Sequence, residues 1–164
     1  MRKKRNREDR FERLFEEHAS DLLAFLAYRV GDRAAAEDVL ADTFERVLRT
    51  RARFDPRRGS EKTWLYSIAL NLVRDRARRR TAEQRAYEQV PVPAAAADGL
   101  EALAGRDALQ RALGELSEEE REAVALRYGA DLTVPEVGRL TGEKLTTVEG
   151  RVYRALRKLR DLLD

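Results

Sequence analysis

The feature that most limits the fold is a break in helical periodicity near the middle of the chain. Residues 81–99 read TAEQRAYEQVPVPAAAADG, show no sustained apolar pattern and contain two nearby prolines that favour extended backbone. On both sides of this break, apolar residues recur at the intervals of helices that pack against a core. We therefore predict an all-α protein of two small helical domains, residues 1–80 and 100–164, joined by a flexible linker over residues 81–99, whose first residues can also extend the preceding helix.

Turn and cap residues divide the first domain into three helices. Apolar spacing over residues 9–30 predicts the first helix, Gly31 ends it, and Asp32 is placed to cap the second. The sequence FDPRRG then interrupts the pattern with proline and glycine, so residues 54–59 are expected to form a loop. Ser60 can cap a third helix. The side chains expected on the inner side of that helix are Trp64, Leu65, Ile68, Ala69, Leu72 and Val73.

The second domain has the order of elements of a helix-turn-helix protein. Ser117–Glu120 and Thr133–Glu136 both have the spacing of a capping box, so each is expected to start a helix. Thr141-Gly142-Glu143-Lys144 reads as a tight turn, and the basic sequence LTTVEGRVYRALRKLR follows it as the longer helix of the motif. Thr146 and Glu149 repeat the capping-box spacing, which predicts that Glu149 stabilises the start of this last helix.

The residue types give little support for enzymatic chemistry. The chain has no cysteine, which excludes disulfides, thiolate metal sites and cysteine nucleophiles. Its single histidine, His18, lies on the apolar side of the first predicted helix and is expected to be structural. Glu37, Asp38 and Asp42 lack the matching set on a facing helix that a metal-binding bundle needs. Since no phosphate-binding glycine loop or nucleophile motif is present, we expect no catalytic residue, no metal and no cofactor.

Positive charge is concentrated in a few places. The formal net charge is only +3, but arginine clusters occur at the N-terminus, at residues 74–80 and at residues 151–160. Such clusters suit an extended polyanion better than a small acidic ligand. No apolar run approaches the roughly 18 residues of a membrane helix, and no apolar segment follows the basic N-terminus as in a secretory signal. We therefore expect a soluble cytoplasmic protein without membrane insertion.

Residues 54–80 combine the side-chain types that bind unpaired bases. An arginine-bearing loop is followed by Trp64, Tyr66, Asn71 and an arginine run. Aromatic faces can stack on bases while arginines contact phosphates, and an Asn amide can hydrogen-bond to a base edge. Periodicity supports a purely structural interpretation about equally well. In that interpretation Trp64 and Ile68 are core residues and the arginines are a solvated helix end.

Long stretches of the chain resemble one family. AEDVLADTFERVLRTRARFDPRRGSEKTWLYSIALNLVRDRARRR (residues 36–80) resembles the first domain of extracytoplasmic-function (ECF) sigma factors, the small alternative specificity subunits of bacterial RNA polymerase. LSEEEREAVALRYGADLTVPEVGRLTG (residues 116–142) and TVEGRVYRAL (residues 147–156) resemble their second domain, a helix-turn-helix. The resemblance covers nearly the whole chain in the same order, which makes it more specific than any of these motifs alone.

The resemblance implies roles for residues of the first domain. Asp38, Asp42 and Leu48 fall on positions that dock on the clamp of the polymerase largest subunit, where an acidic surface meets basic protein. The loop at residues 54–60 and the helix from Trp64 match the elements that open the minus-ten promoter element and hold a flipped base. The implied minus-ten contacts are Trp64, Tyr66, Asn71 and Arg74, with Arg76, Arg78 and Arg79 on phosphates.

In the second domain the resemblance implies a reader of the minus-thirty-five element. The residues that would face the DNA are Thr146, Thr147, Arg151, Tyr153 and Arg154. Arg151 is expected to read a guanine with a bidentate contact, and the two threonines at the helix start suit phosphates. The chain departs from the family at Thr146, Glu149 and Gly150, where glycine, a cation and serine are common.

The resemblance therefore implies a transcription initiation factor without enzymatic activity. It would bind core RNA polymerase, direct it to specific promoters, assist promoter melting, and be clamped by an anti-sigma factor. The alternative is a free-standing helix-turn-helix regulator whose first domain senses a signal or dimerises. Such a regulator would bind specific duplex DNA without polymerase, whereas the sigma factor would bind little until core enzyme is added.

Overall fold

The structure is a computed structural model that describes residues 2–30, 32–86 and 103–164. These residues form α1 (Arg2–Val30), α2 (Arg33–Thr50), a 3₁₀ turn (Arg51–Arg53), α3 (Glu61–Ala86), α4 (Leu103–Gly114), α5 (Glu118–Val124), a π-helical turn (Ala125–Gly129), α6 (Val134–Thr141) and α7 (Leu145–Leu163). No strand occurs among the described residues, and the predicted all-α class is confirmed. The chain divides into two compact units, Met1–Pro93 and Ala94–Asp164.

Local caps start the helices of the first unit where the sequence places them. The carboxylate of Asp32 accepts hydrogen bonds from the backbone N–H groups of Ala34 (3.3 Å) and Ala35 (3.1 Å), so the predicted N-cap of α2 is confirmed. Ser60 Oγ accepts from the Thr63 N–H at 3.1 Å and caps α3 in the same way. Both helix starts therefore depend on side chains next to them in the sequence.

α3 is longer than the predicted first domain. It ends at Ala86, so residues 81–86 continue the helix instead of belonging to the linker, which moves the boundary predicted at residue 80. The physical reason is that these residues include no proline or glycine and are mostly good helix formers. The remainder of the predicted linker, residues 87–99, lies outside the described part of the chain.

α1, α2 and α3 pack around an apolar core. Its buried side chains are Leu14, Leu22, Phe25, Leu26, Ala36, Val39, Phe44, Val47, Leu65, Tyr66, Ala69, Leu70 and Val73. The buried face of α3 differs from the expected one, because Tyr66 and Leu70 are buried while Trp64 and Ile68 are only half-buried. Apolar side chains surround the first half of α3, so periodicity does not select a face. Packing against α1 decides which face is buried. One of these contacts is an edge-to-face pair of Phe25 and Tyr66, whose ring centroids are 5.4 Å apart.

Both capping boxes predicted in the second unit are confirmed. Ser117 Oγ accepts from the Glu120 N–H at 3.2 Å, and the Glu120 carboxylate accepts from the Ser117 N–H at 3.1 Å. Thr133 and Glu136 form the same reciprocal pair at the start of α6, with distances of 3.4 and 2.7 Å. Gly142 ends α6 in the left-handed region with φ of 75°, as the predicted tight turn requires.

α6 and α7 form the predicted helix-turn-helix, and the turn packs closely on α6. The N–H of Glu143 donates to the carbonyl of Gly138 at 3.0 Å, and a Cβ at position 138 would lie 2.9 Å from the Glu143 carbonyl oxygen. Only glycine allows this approach. The side chains that α7 buries are Val148, Val152, Ala155 and Leu159.

The capping box predicted for α7 is wrong. α7 begins at Leu145, and its N-cap is Lys144, whose extended backbone (φ −69°, ψ 146°) makes no side-chain cap bond. The N–H groups of Thr147 and Val148 donate to the Lys144 carbonyl, so Thr146 already lies inside the helix. Glu149 is an exposed residue of α7 with no role in the cap. The turn at Gly142 makes Lys144 the N-cap and Leu145 the first helical residue, so Thr146 cannot be the N-cap of α7.

Candidate nucleic-acid interface

A pocket of about 570 Å³ lies at the start of α3, next to α1 and the preceding loop. Its lining includes Arg10, Leu14, Phe54, Pro56, Glu61 and Trp64. The ring centroids of Phe54 and Trp64 are 5.4 Å apart with their planes inclined by 49°, so the two aromatic side chains meet at the pocket. A planar molecule with an apolar face and polar edges, such as an unstacked base, suits this lining.

Ion pairs fix the charged side of the pocket. Arg10 lies 2.6 Å and Arg13 3.5 Å from the carboxylate of Glu61, which connects α1 to the start of α3. Burial acts to raise the pKa of Glu61, but the hydrogen bonds and positive charges of Arg10 and Arg13 outweigh it and lower the pKa below its ordinary value. Glu61 is therefore ionised at neutral pH and holds both arginines in place.

Tyr66 does not reach this surface, so its predicted contact with DNA is wrong. Its side chain is fully buried against Phe25, and its hydroxyl has no hydrogen-bond partner. Burial raises the pKa of Tyr66 well above its ordinary value, and the nearby charge of Asp21 adds to the shift. The reason for the error is geometric. Two residues span about 200° of a helix, so Tyr66 points away from the side that carries Trp64.

Asn71 lies on the same side of α3 as Trp64. It is exposed, and it follows Trp64 by nearly two turns, about 10 Å along the helix axis. Ile68 lies half-buried between them. We call Trp64, Ile68 and Asn71 the outer strip of α3. The strip combines an aromatic face with an exposed amide, which are the two groups that hold and identify a base.

The arginine run follows the outer strip. Arg76, Arg78 and Arg79 are exposed, and Arg74 is half-buried. Arg76 lies 3.8 Å from Asp38 of α2, and Arg78 lies 3.6 Å from Asp75. Pairs this exposed contribute little stability, so a phosphate can replace the carboxylate as the partner of the guanidinium.

α2 presents a surface of a different chemistry. Asp38 and Asp42 lie one turn apart on the same side of the helix, Leu48 lies towards the edge of its exposed surface, and all three are exposed, Leu48 by 55%. Phe15 of α1, which is 43% exposed, packs on Phe44 of α2 with ring centroids 4.8 Å apart. Exposed apolar side chains among carboxylates are typical of a protein-binding surface and unsuited to a nucleic acid.

α7 exposes the side opposite its buried residues. The exposed polar and aromatic residues there include Thr146, Thr147, Tyr153, Arg154 and Arg157. Tyr153 is 68% exposed. Arg157 is absent from the predicted contacts, although it follows Tyr153 by four residues and so shares its side of the helix. That spacing was the signal that could have found it.

Arg151 lies at the edge of this side and already has a partner within the unit. Its guanidinium pairs with the carboxylate of Glu143, and the two side chains are only 24% and 26% exposed. The pair connects α7 to the turn before it. The predicted contact between Arg151 and a guanine stays a prediction, and Arg154 is the more exposed of the two arginines.

A second ion pair connects α7 to α5. Lys158 Nζ lies 2.8 Å from Glu120, whose side chain is only 8% exposed and also completes the Ser117 capping box. The hydrogen bond from Lys158 lowers the pKa of Glu120, burial opposes this shift, and the Ser117 N–H reinforces it. Glu120 therefore fixes both the start of α5 and the position of α7.

Among the described residues, no three His, Asp or Glu side chains are placed to share a metal ion. Within the same residues, no helix is both long and apolar enough to span a membrane.

Two family models match the chain in order. The model of Sigma-70 region 2 matches residues 14–83, and the model of Sigma-70, region 4 matches residues 106–159. The chain is 37% identical to the RNA polymerase sigma factor CarQ of Myxococcus xanthus, covering 95% of this chain and 90% of CarQ. It is 36% identical to the ECF RNA polymerase sigma factor SigE of Mycolicibacterium smegmatis, covering 93% of this chain and 61% of SigE.

Solved structures give the same result. The sigma factor RpoE of Bartonella quintana, in complex with the anti-sigma factor NepR, is similar with a TM-score of 0.83 and 25% identity over 93% of this chain and 96% of that one. CnrH, in complex with the cytosolic domain of CnrY, is similar with a TM-score of 0.70 and 26% identity over 96% of this chain and 89% of that one.

Proposed function

The chain belongs to the ECF RNA polymerase sigma factors, and from this membership we propose how its two units divide the initiation of transcription. The first unit binds core RNA polymerase and the minus-ten element, and the second reads the minus-thirty-five element. The chain acts in the cytoplasm and catalyses no reaction itself. The observation that supports this proposal is that each unit exposes a helix surface whose side chains suit a nucleic acid, the outer strip of α3 with the arginines that follow it and the exposed side of α7.

Polymerase binding is assigned to α2. Asp38 and Asp42 supply negative charge, and Leu48 supplies an apolar side chain that is already exposed. A basic partner surface would be steered by the carboxylates and held by burial of Leu48. The ion pair of Asp38 with Arg76 is long and exposed, so it offers little resistance to such a partner.

Minus-ten binding is assigned to the pocket and the outer strip of α3. An unstacked base can enter between the loop and Trp64, where stacking contributes about 1–3 kcal/mol per base. Asn71 can then hydrogen-bond to a base edge farther along the strip. Arg76, Arg78 and Arg79 follow on the same helix and are suited to the backbone phosphates.

Minus-thirty-five binding is assigned to α7, the second helix of the helix-turn-helix, which enters the major groove in this class of motif. Thr146 and Thr147 lie in its first turn, where their exposed hydroxyls are suited to phosphates. Tyr153, Arg154 and Arg157 are exposed farther along and can reach base edges or the backbone.

An anti-sigma factor is the other proposed partner. The RpoE structure is a complex with the anti-sigma factor NepR, and the CnrH structure is a complex with the cytosolic domain of CnrY. In this chain Phe15, Leu48 and Tyr153 are large side chains that an inhibitory protein could cover. A protein bound over Leu48 would compete with the polymerase.

Run-off transcription with purified core RNA polymerase on genomic promoter fragments tests the function. We expect transcripts from a subset of fragments only when this chain is added, and weak duplex binding by the chain alone. Tight, specific duplex binding without core enzyme, together with no promoter-dependent transcript, would instead identify a free-standing helix-turn-helix regulator. The double variant Asp38→Ala/Leu48→Ala is the matched control, because it should abolish core binding and leave α7 intact.

The role of Asn71 can be tested on its own. We expect Asn71→Ala to change the base preference at one position of the minus-ten element by about tenfold, since a base-edge contact is worth about 1–3 kcal/mol. Arg79→Ala should instead weaken all promoters alike and reduce the salt dependence of binding. If Asn71→Ala also weakens every promoter equally, then Asn71 does not read a base.

A further inference from the structure

Gly150 occupies an unexpected position inside α7. Glycine is a poor residue for a helix interior, because it has the largest conformational freedom to lose on folding. The backbone at position 150 is helical and its φ is not positive, so it does not require glycine. The backbone conformation therefore does not account for the glycine, and its surroundings are the next place to look for a reason.

Arg154 is the side chain that a Cβ at position 150 would meet. Such a Cβ would lie 3.2 Å from Nη1 and 4.0 Å from Cζ of Arg154, and apart from the two adjacent residues and the local backbone of α7 no other heavy atom comes within 4 Å. Long side chains on a helix lean towards the residue four positions earlier. The guanidinium of Arg154 therefore lies back along α7, over the backbone of Gly150.

Gly138 is a useful contrast within the same motif. A Cβ there would lie 2.9 Å from a backbone oxygen of the turn, so Gly138 is required by the fold. At Gly150 the obstructing group is the end of a long, exposed side chain, which can move away. A side chain at position 150 would leave the fold intact and would move only the guanidinium of Arg154.

We propose that Gly150 is a specificity-determining position of α7, because it lets the guanidinium of Arg154 lie along the helix and so sets which base Arg154 reads. This inference rests on the proposed function of α7 as a reader of promoter duplex. Arginine identifies a base through two parallel hydrogen bonds from a rigid fork, so a displacement of a few tenths of an ångström changes the geometry of both. Arg151 is less suited to this role, because it is paired with Glu143.

The experiment uses the full chain with core RNA polymerase and a promoter library randomised across the upstream element. Transcribed templates are sequenced for the wild type, Gly150→Ala, Gly150→Ser, Arg154→Ala and the double variant Gly150→Ala/Arg154→Ala. We expect Gly150→Ala to change the relative use of two bases at one upstream position by about five- to tenfold, the size of one arginine–base contact. In the Arg154→Ala background the same substitution should change nothing, because the coupled group is absent.

Controls separate this effect from folding and from the function itself. Gly150→Ala should melt no lower than the wild type, since alanine is the better helix residue. Gly114→Ala, where a Cβ meets no atom within 4 Å, should leave the selected sequences unchanged. Identical selection by the wild type and Gly150→Ala, or an equal shift with and without Arg154, overturns the inference and leaves the proposed function standing. A wild type that selects no upstream sequence at all overturns both.

Discussion

α3 and α7 are both long basic helices, but they bury their side chains in different ways. α7 has one buried row, and the rest of its surface is mainly polar and basic, with exposed apolar side chains such as Tyr153 and Leu156 among the charged residues. α3 has apolar side chains on nearly all sides of its first half, with Tyr66 inside and Trp64 on the outer strip. The difference matches the two tasks that we propose for these helices. A helix that reads paired bases needs polar groups at base edges, whereas one that holds an unstacked base also needs apolar surface outside the core.

Substitution of Tyr66, which is buried while Trp64 lies on the outer strip, tests the contrast between α3 and α7 most strongly. We expect Tyr66→Ala to destabilise the first unit by about 3–5 kcal/mol, the usual cost of removing a large buried aromatic side chain. Tyr66→Phe should change stability by less than about 1 kcal/mol, because the lost hydroxyl has no partner. Denaturant unfolding followed by fluorescence measures this directly, since Trp64 is the only tryptophan of the chain.

The promoter preference of Tyr66→Phe decides the remaining question for α3. It should equal that of the wild type, because a side chain inside the core touches no DNA. A selective change at the minus-ten element would show that Tyr66 leaves the core when DNA binds. It would contradict the assignment of Tyr66 to the core side of α3 and of Trp64 to the DNA-binding side.

The next largest effect is expected where Glu120 holds α7. Replacing Glu120 with Ala removes a capping group and a charged hydrogen bond, and should destabilise the second unit by about 1–3 kcal/mol. The pKa of Glu120 is lowered in the folded state from 4.5, so its contribution is complete above about pH 4.5 and is lost as the pH falls towards the folded-state pKa. Hydrogen exchange of the α5 and α7 amides measures the stability of the second unit separately. The useful range is from about pH 6 to about pH 3, over which a carboxyl group titrates.

Lys158→Gln is the matched control for this prediction. The hydrogen bond from Lys158 is the main cause of the lowered pKa, so its removal should leave the stability of α5 and α7 less sensitive to acid. Equal acid sensitivity in the variant and the wild type would mean that another carboxylate controls the transition.

The smallest expected effect concerns Arg151, at the edge of α7. If its main role is to pair with Glu143, then Arg151→Ala and Glu143→Gln should each destabilise the second unit by about 1 kcal/mol, as a partly exposed ion pair does. Base preference at the upstream element should stay the same in both. If Arg151→Ala leaves the stability unchanged and weakens the preference for one guanine, then Arg151 reads that base instead of serving mainly as the partner of Glu143.

Features that depend on neighbouring residues were predicted correctly. The caps at Asp32, Ser60, Ser117 and Thr133 form as expected, because each involves groups within three positions of one another. The same reasoning failed at Glu149, since the turn at Gly142 starts the helix before Thr146. The two candidate surfaces were found from residue types, but Tyr66, which was assigned to the first of them, is buried in the core of the first unit.

The sequence by itself determined the all-α class, the helix-turn-helix and the residue types available on α2, α3 and α7. Periodicity and caps act over a few residues, so they can be read along the chain. Only the tertiary structure decided which side of α3 is buried, where α7 begins and which partner Arg151 has. The start of α7 and the partner of Arg151 depend on the turn between α6 and α7, whose Glu143 pairs with Arg151. The buried side of α3 depends on a distant element, since Phe25 of α1 packs on Tyr66. The apolar area buried against such a partner selects one arrangement among several that local sequence permits equally.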